Sequence, residues 1–454
     1  MARILQVIHD YIPETVAGTE IVTQRLSEYL ARKGHEVFIF CRGWNQETKA
    51  YEIRDEIINQ VKVRRINFGR TGPHKETILH DKQVNKNYEE YLNLVKPDIV
   101  HIQNLLYLGV DIVRITREQN IPMIYTLHDF WFCCPQVKLL NYEKTICNLR
   151  AGLHCLSCHW PGEFGRLRRV LPWQSINPML IEARKAGFGA LVPPFFDVRL
   201  ILDTFSEWQR EFKKVFQTVD IIHSPSVFTA NLALQAGAPE EKVVVVDPHG
   251  IKYDANFKLP KRPSTLLRLG MIGFAHAKGT HVAVEAMRYL ASDRLELRIY
   301  GKMEMGDFKT QIENSAKELN IKLMGAFEQP RLSEIFHEMD VLIVPSIWYE
   351  NAPTVIREAF ATGTPVIASN VGGMAEMVTH GVDGLHFQVG DSVDLAAKIQ
   401  TLLDNPGMLE QLSHSIQLPS PIAEACDRIE QLYQRLPQPV RMILPGNLIL
   451  EDSA

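Results

Sequence analysis

The chain has 454 residues, 46% of them hydrophobic and 22% charged, with 49 Lys and Arg against 53 Asp and Glu for a formal net charge of -4. That length holds two or three domains with cores of their own, and the acidic balance excludes a general nucleic-acid binder, though not a local basic patch. Apolar runs are short and broken by charge or proline, so no membrane span is expected; MARILQVIHD enters a strand without a signal-peptide layout, so we expect a cytoplasmic protein whose seven cysteines form no disulfide framework.

In chain order, Arg3 to Ile8 reads as a buried strand, followed by the loop HDYIPETVAGTE, an amphipathic helix from about Glu20 to Lys33 and a second strand from His35 to Cys41. Gly18 lies where the backbone either turns tightly or approaches a ligand, and both readings stay open. The polar stretch from Arg42 to Lys75 is expected to be peripheral, with one strand at Val61 to Ile66. Helix and strand then alternate through Asp98 to Gln103 and Met123 to Leu127. His128 follows the last of these strands, at the end of a parallel sheet where ligands sit.

From Phe130 to about Phe205 the alternation breaks. Cys134, Cys147, Cys155 and Cys158, the last pair as C-x2-C, fit a structural zinc site whose four thiolates leave no place for substrate. His154 and His159 compete as ligands, and free buried thiols fit equally well. Between Glu163 and Lys185, Arg166, Arg168, Arg169 and Arg184 mix with Phe164, Leu167, Leu171 and Trp173. Such a stretch, continuing to about 205, either docks on the anionic inner face of a membrane or packs as a lid. A helix from Glu207 to Phe216, a strand in VDIIHSPS and a strand from Lys242 to Asp247 complete a first domain, 1–254.

Lysines and prolines at 255–265 mark the boundary to a second domain, 255–420. It opens with a strand, a loop holding Gly273 and Lys278, and a helix from about Thr280; a lysine just before a helix amino terminus can pair with a diphosphate held there. Strands follow at Leu295 to Tyr300 and Ile321 to Met324, with Tyr300 to Lys302 and Gly325 to Phe327 in the turns at their ends. The central stretch is VLIVPSIWYENAPTVIREAFATGTPVIASNVGGMAEMV. It reads as a buried strand (Val341 to Pro345), a loop carrying Glu350, a helix carrying Glu358, a second buried strand (Pro365 to Ser369) and a Gly372-Gly373 turn. An amphipathic helix at Ile422 to Leu436 lies in a terminal segment, 421–454. The fold class is therefore α/β, with two Rossmann-like parallel-sheet domains.

The Glu350-x7-Glu358 spacing between two buried strands, Gly363-Thr-Pro-Val and Gly372-Gly-x-x-Glu376 together resemble the donor-binding half of retaining glycosyltransferases of family 4. That resemblance implies the GT-B architecture, with two Rossmann-like domains facing a cleft and a terminal helix crossing back to the first. It implies that Gly18, Gly273, Lys278, Glu350, Asn351, Ala352, Pro353, Thr354 and Glu358 surround a nucleotide diphosphate sugar. Glu358 would hold the ribose, Glu350 the sugar hydroxyls and Lys278 the diphosphate, with His128 orienting the sugar from the other domain; His128 and Glu350 are thus the catalytic pair. Two departures stand out. Ala17-Gly18-Thr19-Glu20 replaces the family's Gly-Gly-x-Glu, and Phe274 replaces an arginine after Gly273, so either another cation helps hold the phosphate (Arg268 and His276 are nearby in sequence) or donor affinity rests more on Lys278 and backbone donors. No Asp-x-Asp motif is present, so the chemistry should need neither metal nor other cofactor. The expected partners are a nucleotide sugar and a saccharide, lipid-linked or other glycoconjugate acceptor, without nucleic acid. A nucleotide-sugar epimerase of the same shape and a non-catalytic nucleotide-sugar scaffold are the alternatives.

Overall fold

The computed structural model describes residues 1–44, 47–69, 79–141, 143–148, 155, 158, 198–253, 264–290, 292–303, 306–328 and 331–437, of which 198–204 are described as helix backbone only. The zinc competitors His154 and His159 and the basic, apolar stretch 163–197 lie outside those residues.

The first sheet has eight strands in the order β3-β4-β2-β1-β5-β6-β7-β8. They are β1 (Arg3–Val7), β2 (Glu36–Gly43), β3 (Ile53–Ile58), β4 (Val61–Asn67), β5 (Ile99–Ile102), β6 (Met123–Thr126), β7 (Ile221–Ser224) and β8 (Val243–Val245). All pairings are parallel except β3 with β4. Continuous burial of β6 and β7 follows from helices on both faces: α1 (Gly18–Arg32), α2 (Lys82–Val95), α3 (Asp111–Glu118), α4 (Val198–Thr218) and α5 (Val227–Gln235). The order turns about β1 and β5, so the loops that follow them open a crevice at the carboxyl edge.

Strand β3 is not anticipated by the sequence reading. Its side chains are exposed or half-exposed along its whole length, so no apolar run marks it. The signal lies in the turn, where Asn59 and Gln60 both take positive φ (48° and 71°), as two-residue hairpins require. Helix α4 likewise begins at Val198, nine residues before the expected Glu207.

The second sheet is β11-β10-β9-β12-β13-β14, all parallel. Its strands are β9 (Leu267–Ile272), β10 (Leu295–Tyr300), β11 (Ile321–Gly325), β12 (Val341–Val344), β13 (Val366–Ser369) and β14 (Gly384–Phe387). Around it lie α6 (Thr280–Leu290), α7 (Asp307–Glu318), α8 (Leu332–His337), α9 (Thr354–Ala361), α10 (Gly372–Met377), α11 (Ser392–Asp404) and α12 (Pro406–Ser415). Here the order turns between β9 and β12. The expected pair of parallel-sheet, Rossmann-like domains is what the chain forms.

Helix α13 (Ile422–Gln434) leaves the second half and packs on the first. Cys426, Ile429, Leu432 and Tyr433 join the core formed by Ile4, Leu26, Leu30 and Ile39. Among the described residues, no helix is long and apolar enough to cross a membrane.

Candidate active site

The loops after β9 and β12 meet because those strands are neighbours. Lys278 Nζ lies 2.7 Å from Glu350 Oε1, and the same oxygen accepts from Ser346 Oγ at 2.9 Å and Trp348 Nε1 at 2.7 Å. Burial pushes the Glu350 carboxyl up, but Lys278 and these donors overcome it and hold the group below its ordinary value. Glu350 therefore stays charged beside Lys278. Gly273 shapes the first loop: its φ of +114° excludes ordinary side chains, and a Cβ there would stand 3.3 Å from Lys278 Cγ.

Glu358, on α9, is buried, yet its carboxylate makes no hydrogen bond among the described residues. Burial raises it to about 7 against the opposing pull of Arg25 and Arg357. Arg25 comes from α1, so the two halves of the chain meet at this carboxylate; its Nη1 also donates to Gly250 O at 3.1 Å. Arg357 Nε reaches Asp247 Oδ2 at 2.9 Å, and Asp247 Oδ1 accepts from the backbone N–H of His249 at 3.0 Å.

Asn351 spans the halves outright. Its Nδ2 donates to Leu127 O at 2.7 Å, while its Oδ1 accepts from Ser226 Oγ at 2.8 Å and Thr229 Oγ1 at 2.7 Å. The side chain is thereby spent on holding domains together, leaving its backbone to any donor. Pro353 precedes α9 as its N-cap, and Thr354 is the first helical residue, so backbone N–H groups without helical partners lie beside Ala352. The Gly372-Gly373 turn fits against this loop: Gly373 N–H donates to Glu350 O at 2.8 Å, and a Cβ on Gly373 would fall 1.6 Å from Asn351 O.

His128 faces this assembly from the end of β6, one residue after Leu127, whose carbonyl Asn351 holds. Its Nε2 lies 2.8 Å from Gln103 Oε1. Burial, then His249, His223, His101 and His9, keep it well below the ordinary histidine value, so it is neutral. Gly18 opens α1 without a left-handed φ, and a Cβ there would meet nothing within 4 Å. No tight turn demands glycine there; what it leaves is open space before the helix.

Neither Phe274 nor Arg268 offers a cation in place of the missing arginine. Phe274 is buried and packs edge-on to Phe308. Arg268 sits at the amino end of β9, far from the carboxyl-end loops, where Asp340 takes it at 2.7 and 3.1 Å. His276 stacks on His281. Sequence reasoning also passed over Gln103, Arg25, Asp247 and Arg357; only Ser346 and Trp348, four and two residues before Glu350, carried a local signal.

The cysteines gather beside the end of the first sheet's β6 loop. A short hairpin joins Cys134 to Cys147, with Leu140 bridged to Ile146 and Cys147 N–H donating to Leu139 O at 2.8 Å. Burial raises the Cys134 thiol to about 11, N–H groups of Leu139 and Gln136 draw it back, and Cys147 and Cys158 are near enough to add to the rise. Among the described residues, however, the one set of metal-type ligands within reach of a shared ion is His9, Asp10 and Glu20. There Arg42 already occupies both Asp10 oxygens, at 2.6 and 3.0 Å. The structure brings Cys134, Cys147 and Cys158 into one neighbourhood.

Comparison with known proteins agrees with this fold. A model of Glycosyltransferase Family 4 matches residues 16–158, and one of glycosyl transferases group 1 matches residues 253–417. An uncharacterized glycosyltransferase of Methanocaldococcus jannaschii is 22% identical over 421 residues, 90% of this chain and 91% of its own. The amylovoran biosynthesis glycosyltransferase AmsK of Erwinia amylovora is 30% identical over 202 residues, 42% of this chain and 49% of its own. Among solved structures, Anabaena HepE in complex with UDP has a TM-score of 0.63 at 15% identity, covering 95% of this chain and 100% of that one. Sucrose-phosphate synthase from Thermosynechococcus elongatus has 0.65 at 18%, covering 96% and 99%. At those identities the structures speak for the fold alone. With the fold and both family models in agreement, the chain carries a Glycosyltransferase Family 4 domain in its amino-terminal half and a glycosyl transferases group 1 domain in its carboxy-terminal half, on the fold of the GT-B glycosyltransferases.

Proposed function

We propose that the chain transfers a hexose-type sugar, with retention of anomeric configuration, from a nucleotide diphosphate sugar to a saccharide, lipid-linked or other glycoconjugate acceptor in surface polysaccharide synthesis. One observation carries the reading. A Glu350–Lys278 pair on the loops after β12 and β9, and a Glu358 on α9 that makes no hydrogen bond among the described residues, stand opposite a neutral histidine of the first sheet. Lys278 exchanges Glu350 for the diphosphate, where negative charge grows as the bond from the anomeric carbon to phosphate breaks. The backbone N–H groups of Ala352 and Thr354 add to that stabilisation. Glu358 accepts both ribose hydroxyls, and Glu350 and His128 fix the sugar. The acceptor oxygen bonds to the anomeric carbon on the face the phosphate leaves, and its proton passes to the departing phosphate oxygen. No side-chain nucleophile and no metal take part.

The UDP and UDP-glucose bound to HepE and the role of AmsK in making amylovoran support a uridine diphosphate donor and a glycan acceptor. Thermal shift against a panel of nucleotide sugars tests the donor, because a ligand bound only by the folded state raises apparent stability. At least one of them should raise the melting temperature, and none doing so would remove the reading. Donor incubated alone should yield no isomerised sugar, which separates transfer from epimerisation, and product NMR should show the donor's anomeric configuration. The 163–205 stretch would bring the enzyme to the inner face of a membrane; co-sedimentation with anionic vesicles tests that.

A further inference from the structure

Behind His128 a chain of buried polar groups crosses the first sheet, and its directions can be worked out from one end. A backbone carbonyl only accepts, so the 2.8 Å contact of His223 Nε2 with Val246 O places a proton on Nε2. His223 is fully buried, and burial lowers it to about 4, so its Nδ1 is a bare acceptor. Thr126 Oγ1, 2.8 Å away, donates its single proton there. The hydroxyl can then only accept from His101 Nε2 at 2.6 Å, and His101, held neutral by burial, is left with an acceptor at Nδ1. Two donors converge on that nitrogen: Tyr433 Oη of α13 at 2.8 Å and Gln103 Nε2 at 3.2 Å. The same amide nitrogen gives its other proton to Gln6 Oε1 at 2.8 Å. With its nitrogen committed, Gln103 can offer His128 only its oxygen.

From this we propose that Gln103 is a positioning residue for His128: it fixes the imidazole as the Nε2–H tautomer and leaves Nδ1 as a lone-pair acceptor for a hydroxyl of the donor sugar. His128 Nδ1 makes no hydrogen bond among the described residues and is not sealed from solvent. The constraint is stiff because Gln6, His101, Gln103, Thr126 and His223 are each at most 2% exposed. Turning one amide over would set donor against donor or leave buried groups unpaired along the chain. The proposal rests on the reading that His128 meets the donor sugar.

The test is a long-range proton–nitrogen NMR spectrum of protein labelled at histidine nitrogen, with the His128 signals assigned by their loss in His128→Gln. Wild type should show a neutral His128 protonated at Nε2. Gln103→Glu, which keeps an acceptor opposite that nitrogen, should preserve the tautomer. Gln103→Leu, which has none, should admit the Nδ1–H form and lower kcat roughly 10-fold or more while donor KM moves less than about 3-fold. A wild-type His128 protonated at Nδ1 would overturn the proposal, as would a folded Gln103→Leu protein with tautomer and kcat unchanged. Should that variant not fold, the wild-type and Gln103→Glu spectra still decide. A protein that moves no sugar sinks the functional reading and leaves this spectrum interpretable.

Discussion

Burial holds the Glu358 carboxyl near 7, where Arg25 and Arg357 only partly offset the loss of water. A carboxyl raised in the folded state binds its proton more tightly there than in the unfolded chain. Its contribution to stability is therefore full below the unfolded value of about 4.5 and is lost as pH rises through 7. Chemical denaturation of the ligand-free protein between pH 4.5 and 8 should show that loss, and Glu358→Gln should flatten it. Ribose hydroxyls need the charged form, so UDP should bind more tightly at pH 8 than at pH 6 in wild type. Glu358→Gln should bind it more weakly, by ~1.5–3 kcal/mol, with little pH dependence. Calorimetric titration at the two pH values reads both effects, and equal affinity in the variant would remove the ribose assignment. Glu358 and Glu350 were legible in the sequence because their spacing and flanking strands are local. Arg25 was not: it meets Glu358 from the opposite end of the chain, and no spacing reports that meeting.

The loop from Pro345 to Thr354 shows the same division at the scale of elements. Its strand, helix and glycine pair follow from apolar runs and turn residues, whereas the use of Asn351 depends on α5 and β6 being brought against it. Gly373→Ala would drive a methyl into the Asn351 carbonyl oxygen, which belongs to backbone and cannot rotate away. The loop would have to shift, taking Glu350 with it, so the variant should lose UDP binding and melt below wild type. Wild-type binding would show the loop to be more yielding than its packing implies. Asn351→Asp tests the clamp more finely. A carboxylate still accepts from Ser226 and Thr229 but meets the Leu127 carbonyl with no proton to give. About 1–3 kcal/mol of stability should disappear at neutral pH, and acidification, which restores a donor, should recover part of it. The edge strand β3 shows what a pattern search misses: half-exposed residues carry no apolar signature, and its hairpin turn lacks glycine.

At the scale of the molecule, the two sheets are separate along the chain but their cores are not. Helix α13 comes after the whole second domain, yet Cys426, Ile429, Leu432, Tyr433 and Leu436 are buried against the first. Tyr29 Oη of α1 and Lys33 Nζ at its C-cap both reach Asp427, and His35 Nε2 lies 3.1 Å from Glu430. An amphipathic helix can be read from its own residue pattern, whereas the domain that receives its apolar face was foreseen only through the family resemblance, because no local spacing reports a contact with the opposite end of the chain. Burying each of those five side chains contributes roughly 1.5–3 kcal/mol, a sum comparable to the whole stability of an ordinary domain, ~5–15 kcal/mol. The exposed Lys33–Asp427 pair adds little. Residues 1–253 expressed alone should therefore be poorly soluble or melt well below the full chain. Co-expression with a segment covering 420–437 should restore a cooperative transition, and Leu432→Asp in that segment should abolish the rescue while Lys33→Ala in the first domain should barely alter it. If 1–253 alone melts like the intact protein, α13 is an ornament on the first domain. In that case the hinge between the halves must be set by Asn351 and the Asp247–Arg357 pair.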